Sequence, residues 1–230
     1  AREAGIKELY APFKNAQEAA LVSGIKIFPA HSLRQILEHL IGVKPLRPRA
    51  SVNPEKILQN ASSSLDMKDV AGQELAKRAL EIAAAGGHNV LLSGPPGSGK
   101  TLLARAMAGI LPDLNVDEVL ELTKIYSIAG KLTENFISSR PVRSPHHTAS
   151  NVALVGGGAV PKPGEITLSH RGILFLDEFP EFPRNVLEAL RQPLEDGIVT
   201  VARASGSFTF PAKFTLVAAQ NPCPCRFFGD

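Results

Sequence analysis

Two cysteines, Cys223 and Cys225, are all that the 230-residue chain carries. They stand too close together to staple a large loop, so a disulfide framework is excluded. Charge of one sign is hardly in excess: 25 Lys and Arg against 22 Asp and Glu leave a net charge of +3. That is far from the balance by which composition alone announces a nucleic-acid binder, so any DNA contact must be local. No apolar run approaches the ~18 residues that a membrane span needs, which predicts no membrane partner. The N-terminus, Ala1-Arg2-Glu3, offers neither an apolar signal core nor an initiator Met. A cytoplasmic protein is expected, and a sequence cut from a longer chain. What is present is apolar material, 44% of residues, enough for one full domain plus a smaller piece.

Residues 1–42 read as alternating units. A short helical end at Ala1–Ala4 precedes an apolar stretch, Ile6–Tyr10, stopped by Pro12. Ala19, Ala20 and Val22 keep helical spacing within Asn15–Ser23, and Ile25–Phe28 is strand-like and ended by Pro29. Ser32 caps a helix whose Leu33, Ile36, Leu37 and Leu40 share one face, and Gly42 ends it. A β-α-β-α piece of this kind has an open sheet edge and few layers to bury it, so its partners are expected upstream of residue 1. Prolines and positive charges at Lys44–Arg49 and the run Ser62–Ser64 mark 43–65 as a linker.

The main domain is then 66–230. Gln73–Ala85 reads as an Ala-rich helix ended by Gly86-Gly87 and packed on the core, and Asn89–Ser93 as a buried strand. Lys100–Leu111 and Asp117–Tyr126 read as helices, Ile173–Leu176 as a second buried strand, and Arg184–Leu190 as a helix. Ile198–Arg203 and Ser207–Phe210 form a hairpin, and Leu216–Ala219 is a third buried strand. The glycine-rich stretch 127–171 yields no clean assignment. Apolar strands alternating with helices predict an α/β fold, a parallel sheet with helices on both faces.

Gly94-Pro95-Pro96-Gly97-Ser98-Gly99-Lys100-Thr101 fits the phosphate-loop pattern, between a predicted strand and a predicted helix. Glycines let backbone N–H groups converge on a phosphate, and the helix N-terminus adds positive potential. Lys100 would reach the outer phosphates of ATP, and the Thr101 hydroxyl would ligate magnesium. Ile173–Leu176 delivers Asp177 and Glu178 to a strand end beside that loop. Asp177 would hold magnesium through water, while Glu178 would orient and deprotonate the attacking water. A third strand delivers Asn221 to the same edge, where its amide would meet the γ-phosphate and the water.

Two further groups carry less. His146-His147 are adjacent in a stretch read as extended, where neighbouring side chains point to opposite faces, so the pair makes a poor chelate. Cys223-Pro224-Cys225 is half of a zinc site at most, since structural zinc takes four ligands.

Asp69-Val70-Ala71-Gly72-Gln73, the loop at 94–101, the strand and acids at 173–178 and the strand ending in Asn221 together resemble an AAA+ ATPase. Lys100 and Asp177 lie farther apart than a plain AAA+ core needs. The intervening Ser144–Ser150, Val155–Gly158 and Pro163–Gly172 resemble the helix-2 insert of magnesium-chelatase-like proteins. With Phe179-Pro180-Glu181-Phe182 and Asn221–Cys225, the chain is identified as a member of the ComM/YifB group. Residues 1–42 resemble the C-terminal end of the Lon-protease-like domain that precedes the ATPase in that group.

The resemblance covers nearly the whole chain. It implies ATP and magnesium as cofactors, Val70 and Gly72 flanking adenine, a hexameric homo-oligomer, and DNA as partner of a branch-migration helicase in natural transformation. It also implies further cysteines, an arginine finger and a second sensor beyond Asp230, so that these 230 residues would bind nucleotide better than they turn it over. Arg140, Arg143 and Arg171 flank the insert and are candidates to meet DNA. Relatives project loops into the ring pore where the hairpin 198–210 and Gly156–Gly158 fall, and there Arg203 and Lys213 could meet phosphates. The alternatives are the ATPase subunit of a metal-inserting chelatase and an ATP-dependent Lon-like protease.

Overall fold

The structure is a computed structural model, and it describes residues 1–2, 4–51, 65–158, 161–203 and 206–222. Most of the expected linker, the hairpin tip and both cysteines lie outside the described residues.

The N-terminal unit is two parallel strands and two helices: β1 (Glu8–Pro12), α1 (Ala16–Ala19), β2 (Lys26–Ala30) and α2 (Leu33–Leu40). Arg2, Ala4 and Gly5 lie in turns rather than in a helical end, with Ala4 N–H donating to Ala1 O. Pro29 sits inside β2 instead of ending it; among the described residues the far side of β2 carries only an isolated bridge from Arg49 at Ile27, so the missing N–H breaks no ladder there. Ser32 caps α2, its hydroxyl accepting from Gln35 N. The apolar stripe of α2 faces outward, with Leu33 72% and Leu40 63% exposed.

The second unit is the larger. It opens with α3 (Glu74–Gly86), β3 (Val90–Ser93), α4 (Lys100–Met107) and α5 (Val116–Ala129). The stretch 127–171 then resolves into β4 (Val142–Arg143), α6 (Asn151–Val155), β5 (Gly156–Gly157), β6 (Lys162–Pro163) and α7 (Glu165–Leu168). Beyond it come β7 (Ile173–Leu176), α8 (Arg184–Ala189), α9 (Arg191–Asp196), β8 (Ile198–Arg203), β9 (Gly206–Pro211) and β10 (Thr215–Gln220). Among the described residues, β3, β10, β7 and β4 pair in that order, all parallel. β8 and β9 form the expected antiparallel hairpin.

The pleat of β7 divides the core. Ile173 and Phe175 pack with Leu80 of α3 and with Leu103 and Met107 of α4. Leu174 and Leu176 pack on the opposite face with Leu154 of α6, Ile166 of α7 and Val186 of α8. Alternate side chains of one strand thus feed two apolar layers, which is why β7 reads as an unbroken apolar run. β3, expected to be buried, lies at the end of this sheet with Leu91 56% exposed. The glycines of the insert serve the chain's own backbone: a Cβ on Gly156 would lie 2.5 Å from Lys162 O, and one on Gly164 2.3 Å from Leu154 O. The reading of Gly156 and Gly157 as an approach to DNA is therefore corrected, since both are buried where β5 meets β6. Among the described residues no helix is long and apolar enough to cross a membrane.

Candidate active site

Because the strands run one way, the C-terminal ends of β3, β10 and β7 open on one edge of the sheet. β3 hands the chain to the loop 94–99, from which α4 rises at Lys100. That loop passes through two left-handed residues, Gly97 at φ +79° and Gly99 at φ +84°, a conformation that glycine adopts without steric penalty. The turn brings the loop amides and the N-terminus of α4 onto one point. Lys100 Nζ donates to Gly94 O at 2.6 Å, to Pro95 O at 2.8 Å and to Asn221 Oδ1 at 3.3 Å. The ammonium therefore ties the loop to the end of β10.

Thr101 Oγ1 donates to Asp177 Oδ2 at 3.0 Å, joining the start of α4 to the end of β7. Glu178 follows in a left-handed conformation, φ 51° and ψ 45°, which costs a non-glycine residue about 1–2 kcal/mol. Its N–H donates to Asp177 Oδ1 at 2.9 Å, which holds the turn. Pro96, Gly97, Ser98, Gly99, Lys100, Thr101, Asp177, Glu178 and Asn221 line a single cleft of about 640 Å³. A cradle of N–H groups, one ammonium, a hydroxyl and a carboxylate is the donor set that a nucleotide phosphate with a hard divalent cation requires, so the residues present fit both.

Val70 and Gly72 are not among the residues lining this cleft. Val70 is buried in the core with Leu103 and Met107, and Gly72 turns at φ +66°. Gln73, which composition did not single out, is the neighbour that touches the loop, its Nε2 donating to Ser98 O at 3.3 Å. An amide side chain heading an Ala-rich helix was the available signal.

The alternation of an extended chain sets His146 and His147 on opposite faces, and here the structure differs. Beyond β4 the chain turns at 147–148, the two rings lie 4.1 Å apart, and both line the cleft. His147 Nδ1 is 3.2 Å from Glu178 Oε2. Among the described residues no group of three or more His, Cys, Asp or Glu is placed to hold a metal ion.

The arginines beside the insert are engaged within the chain. Arg143 Nε donates to Glu165 Oε2 at 2.6 Å, and Glu165 also takes Lys131 Nζ at 2.9 Å. Burial alone would raise the Glu165 carboxyl, but these hydrogen bonds outweigh it and hold the group below its usual value. Arg140 pairs with Glu118 and donates to the carbonyls of Pro112 and Arg171. Arg171 pairs with Glu118 and Glu121. The expectation that these three arginines are free to meet DNA is corrected by those partners.

Residues 66–230 match the family described as magnesium chelatase, subunit ChlI. The chain is 47% identical over 220 residues to competence protein ComM of Haemophilus influenzae, covering 95% of this chain and 43% of that one. It is 49% identical over 213 residues to protein YifB of Salmonella typhimurium, covering 92% and 41% respectively. The chain thus spans about two fifths of the length of these relatives. In a structure of the complex between subunits BchI and BchD of magnesium chelatase, one chain superposes with a TM-score of 0.57 at 27% identity, covering 70% of this chain and 56% of that one. With its parallel sheet, its phosphate loop and those likenesses, the chain has an AAA+ P-loop fold and belongs to the magnesium chelatase subunit ChlI family, in the group of ComM and YifB.

Proposed function

We propose that the 66–230 core binds ATP with magnesium and hydrolyses it, and that in the full-length protein it powers a homo-oligomeric, hexameric ring acting on DNA as a branch-migration helicase. The observation that carries the first half is the meeting of Lys100, Thr101, Asp177, Glu178 and Asn221 in one cleft. Lys100 and Asn221 are 121 residues apart in sequence, so only the folded sheet unites them.

In this reading the loop amides and the N-terminus of α4 take the phosphate oxygens, and Lys100 neutralises their outer charge. Thr101 and Asp177 are the residues that would hold magnesium, the carboxylate through water, and the ion would supply charge neutralisation at the phosphates. Glu178 orients the attacking water and accepts its proton, and the Asn221 amide holds the water and the γ-phosphate in line. Val70 and Gly72 keep the place beside adenine that the family resemblance implies, supported only by the neighbouring Gln73, which bonds to the loop at Ser98 O.

The DNA half is supported by the likeness to a competence protein and by the β8–β9 hairpin, whose β9 is largely exposed. Arg203 and Lys213 are its candidate phosphate contacts, while Arg140, Arg143 and Arg171 lend it none. Residues 1–42 are read as the end of a Lon-protease-like domain, supported by their β-α-β-α order. A metal-insertion ATPase is the second reading, favoured by the likeness to BchI.

The experiment is ATP turnover and branch migration of a labelled forked DNA by the full-length protein and its Lys100→Ala variant. Magnesium-dependent activities lost together in the variant are expected. Turnover without action on any DNA substrate moves the choice to metal insertion, and no Lys100-dependent turnover at all would overturn the first half.

A further inference from the structure

The charge of the chain is unevenly spread. Residues 1–51 carry eight Lys and Arg against four Asp and Glu, whereas the remaining residues carry 17 against 18. The small unit thus holds the whole positive excess. Three of its four acids are engaged within the chain: Glu8 pairs with Lys26 at 3.8 Å, Glu38 pairs with Arg34 at 2.8 Å, and Glu18 accepts from Ser127 Oγ at 3.1 Å.

Three of the cations stand on a strap. The stretch after α2, expected as the start of a linker, is lashed to the small unit as far as Arg49. Lys44 N–H donates to Glu38 O at 3.1 Å, Leu46 N–H to His39 Nδ1 at 3.0 Å, and Arg49 N–H to Ile27 O at 2.7 Å. Pro45 and Pro48 fix two further backbone torsions. Lys44, Arg47 and Arg49 are exposed, and among the described residues none of them meets a carboxylate. Arg49 Nη2 donates to the neutral Oε1 of Gln17 at 2.9 Å, which leaves most of its five N–H donors to solvent. The criterion that set aside Arg140, Arg143 and Arg171 therefore selects these three.

Beside them stand two rings. β1 and β2 are parallel, with Pro12 opposite Ala30, so Phe13 and His31 leave the sheet side by side. Their rings stack at 4.2 Å and 21°, and both residues are exposed, Phe13 by 47%. Phe13–Asn15 is a helical turn that runs straight into α1. Gln17, which holds Arg49, therefore lies about one turn beyond Phe13.

We propose that the strap 44–49 and the Phe13–His31 pair form a binding surface for single-stranded DNA, with Lys44, Arg47 and Arg49 meeting phosphates and the rings stacking on an unpaired base. Cations alone would fit any polyanion; exposed stacked rings single out a partner that offers bases. The surface lies outside both the phosphate cleft and the β8–β9 hairpin, and it rests on the reading above only for the choice of DNA. Because the strap is already ordered, little side-chain and loop ordering remains to oppose binding.

The test measures fluorescence anisotropy of a labelled oligothymidylate with the full-length protein, without nucleotide, across a salt series, together with Tm. Lys44→Ala/Arg47→Ala should weaken binding about tenfold or more at about 0.1 M salt and lower the salt slope by about 0.7 per cation removed. Phe13→Ala should weaken it about fivefold or more with the slope unchanged, and Phe13→Tyr should restore it. On a duplex of equal length the strap effect should persist and the Phe13 effect vanish, since paired bases are already stacked. Binding that falls with Arg203→Ala but ignores the strap and Phe13 variants would overturn the proposal and leave DNA at the hairpin. Binding to phosphatidylserine vesicles that depends on Lys44 and Arg47, with the oligonucleotide unaffected, would make the surface a lipid site and also overturn it. So would a loss of Tm accompanying every loss of binding and unrelieved by Phe13→Tyr. A parent protein that binds no DNA, yet turns over ATP through Lys100, would remove this surface and the DNA reading together while sparing hydrolysis.

Discussion

The two ends of the same parallel strands are built on opposite principles. At the C-terminal ends, Lys100, Thr101, Asp177, Glu178 and Asn221 bond lightly to one another and face an open cleft. At the N-terminal ends, Arg140 precedes β4 and Arg171 precedes β7, and both are consumed by Glu118 and Glu121 of α5. His170 joins them, buried, with Nε2 3.1 Å from Glu121 and Nδ1 accepting from Lys213 N at 3.0 Å. Charge density alone would have ranked the arginine end as the binding surface. What separates the two is the kind of partner: the arginines meet carboxylates within their own fold, whereas Lys100 meets only neutral oxygens beside the cleft. A charge matched by its opposite contributes order, while one left to the cleft contributes affinity.

The contrast is broken most directly at Lys100. Lys100→Ala should lower affinity for a magnesium–ATP analogue by about 100-fold or more, measured by calorimetry, with little change in Tm. An equal loss at the other end would remove the distinction.

Glu118→Ala probes that other end. The Glu118 side chain is only 13% exposed and faces both Arg140 and Arg171, while also completing the capping box with Asn115 at the start of α5. Removing it takes from Arg140 the carboxylate it pairs with and leaves Arg171 only Glu121, and should cost about 2–3 kcal/mol of stability in denaturant unfolding. Analogue affinity should be untouched. Lost affinity at unchanged stability would show that the arginine end reaches the site.

The smallest effect is on pH. Burial pushes the His170 imidazole below its ordinary value of 6.5, with Arg171 and Lys213 acting in the same direction and Glu121 opposing. The folded state thus favours neutral His170, while the unfolded chain takes up the proton first. Its stability contribution is present above pH 6.5 and declines as pH falls through the unfolded value toward the lower folded one. Glu121, held below its ordinary 4.5, loses its contribution only as pH falls below that value. His170→Gln, whose amide can both donate and accept, should flatten the slope just below neutrality and leave the more acidic loss in place. An unchanged slope between pH 7 and pH 5.5 would remove His170 from the account.

The elements that carry the candidate site are largely legible in the sequence because their signals are local. The loop 94–101 carries its own conformational code in Gly97 and Gly99, and Ile173–Leu176 announces a doubly covered strand by its unbroken apolar run; both stand where expected. What escaped depends on contacts between distant segments. Alternation placed His146 and His147 on opposite faces, but the chain after β4 leaves the ladder and turns, so the rule that governs a strand no longer applies. Arg140, Arg143 and Arg171 look available in the sequence because Glu118, Glu121 and Glu165 are separated from them by 22 to 53 residues. The apolar run within Asn89–Ser93 predicts a buried strand, whereas β3 sits at the end of the described sheet.

The strand order also sets a timetable. β3, which feeds the phosphate loop, and β7, which feeds Asp177 and Glu178, never touch; β10 lies between them and bonds to both. β10 is the last of these strands in the chain, and its Leu216 N–H reaches back across 127 residues to Asn89. A ribosome therefore exposes both halves of the nucleotide site long before the strand that joins them. Until Thr215–Gln220 emerges, β3 and β7 lack the strand that hydrogen-bonds to both, so the nascent domain must wait on β10 before nucleotide can stabilise it.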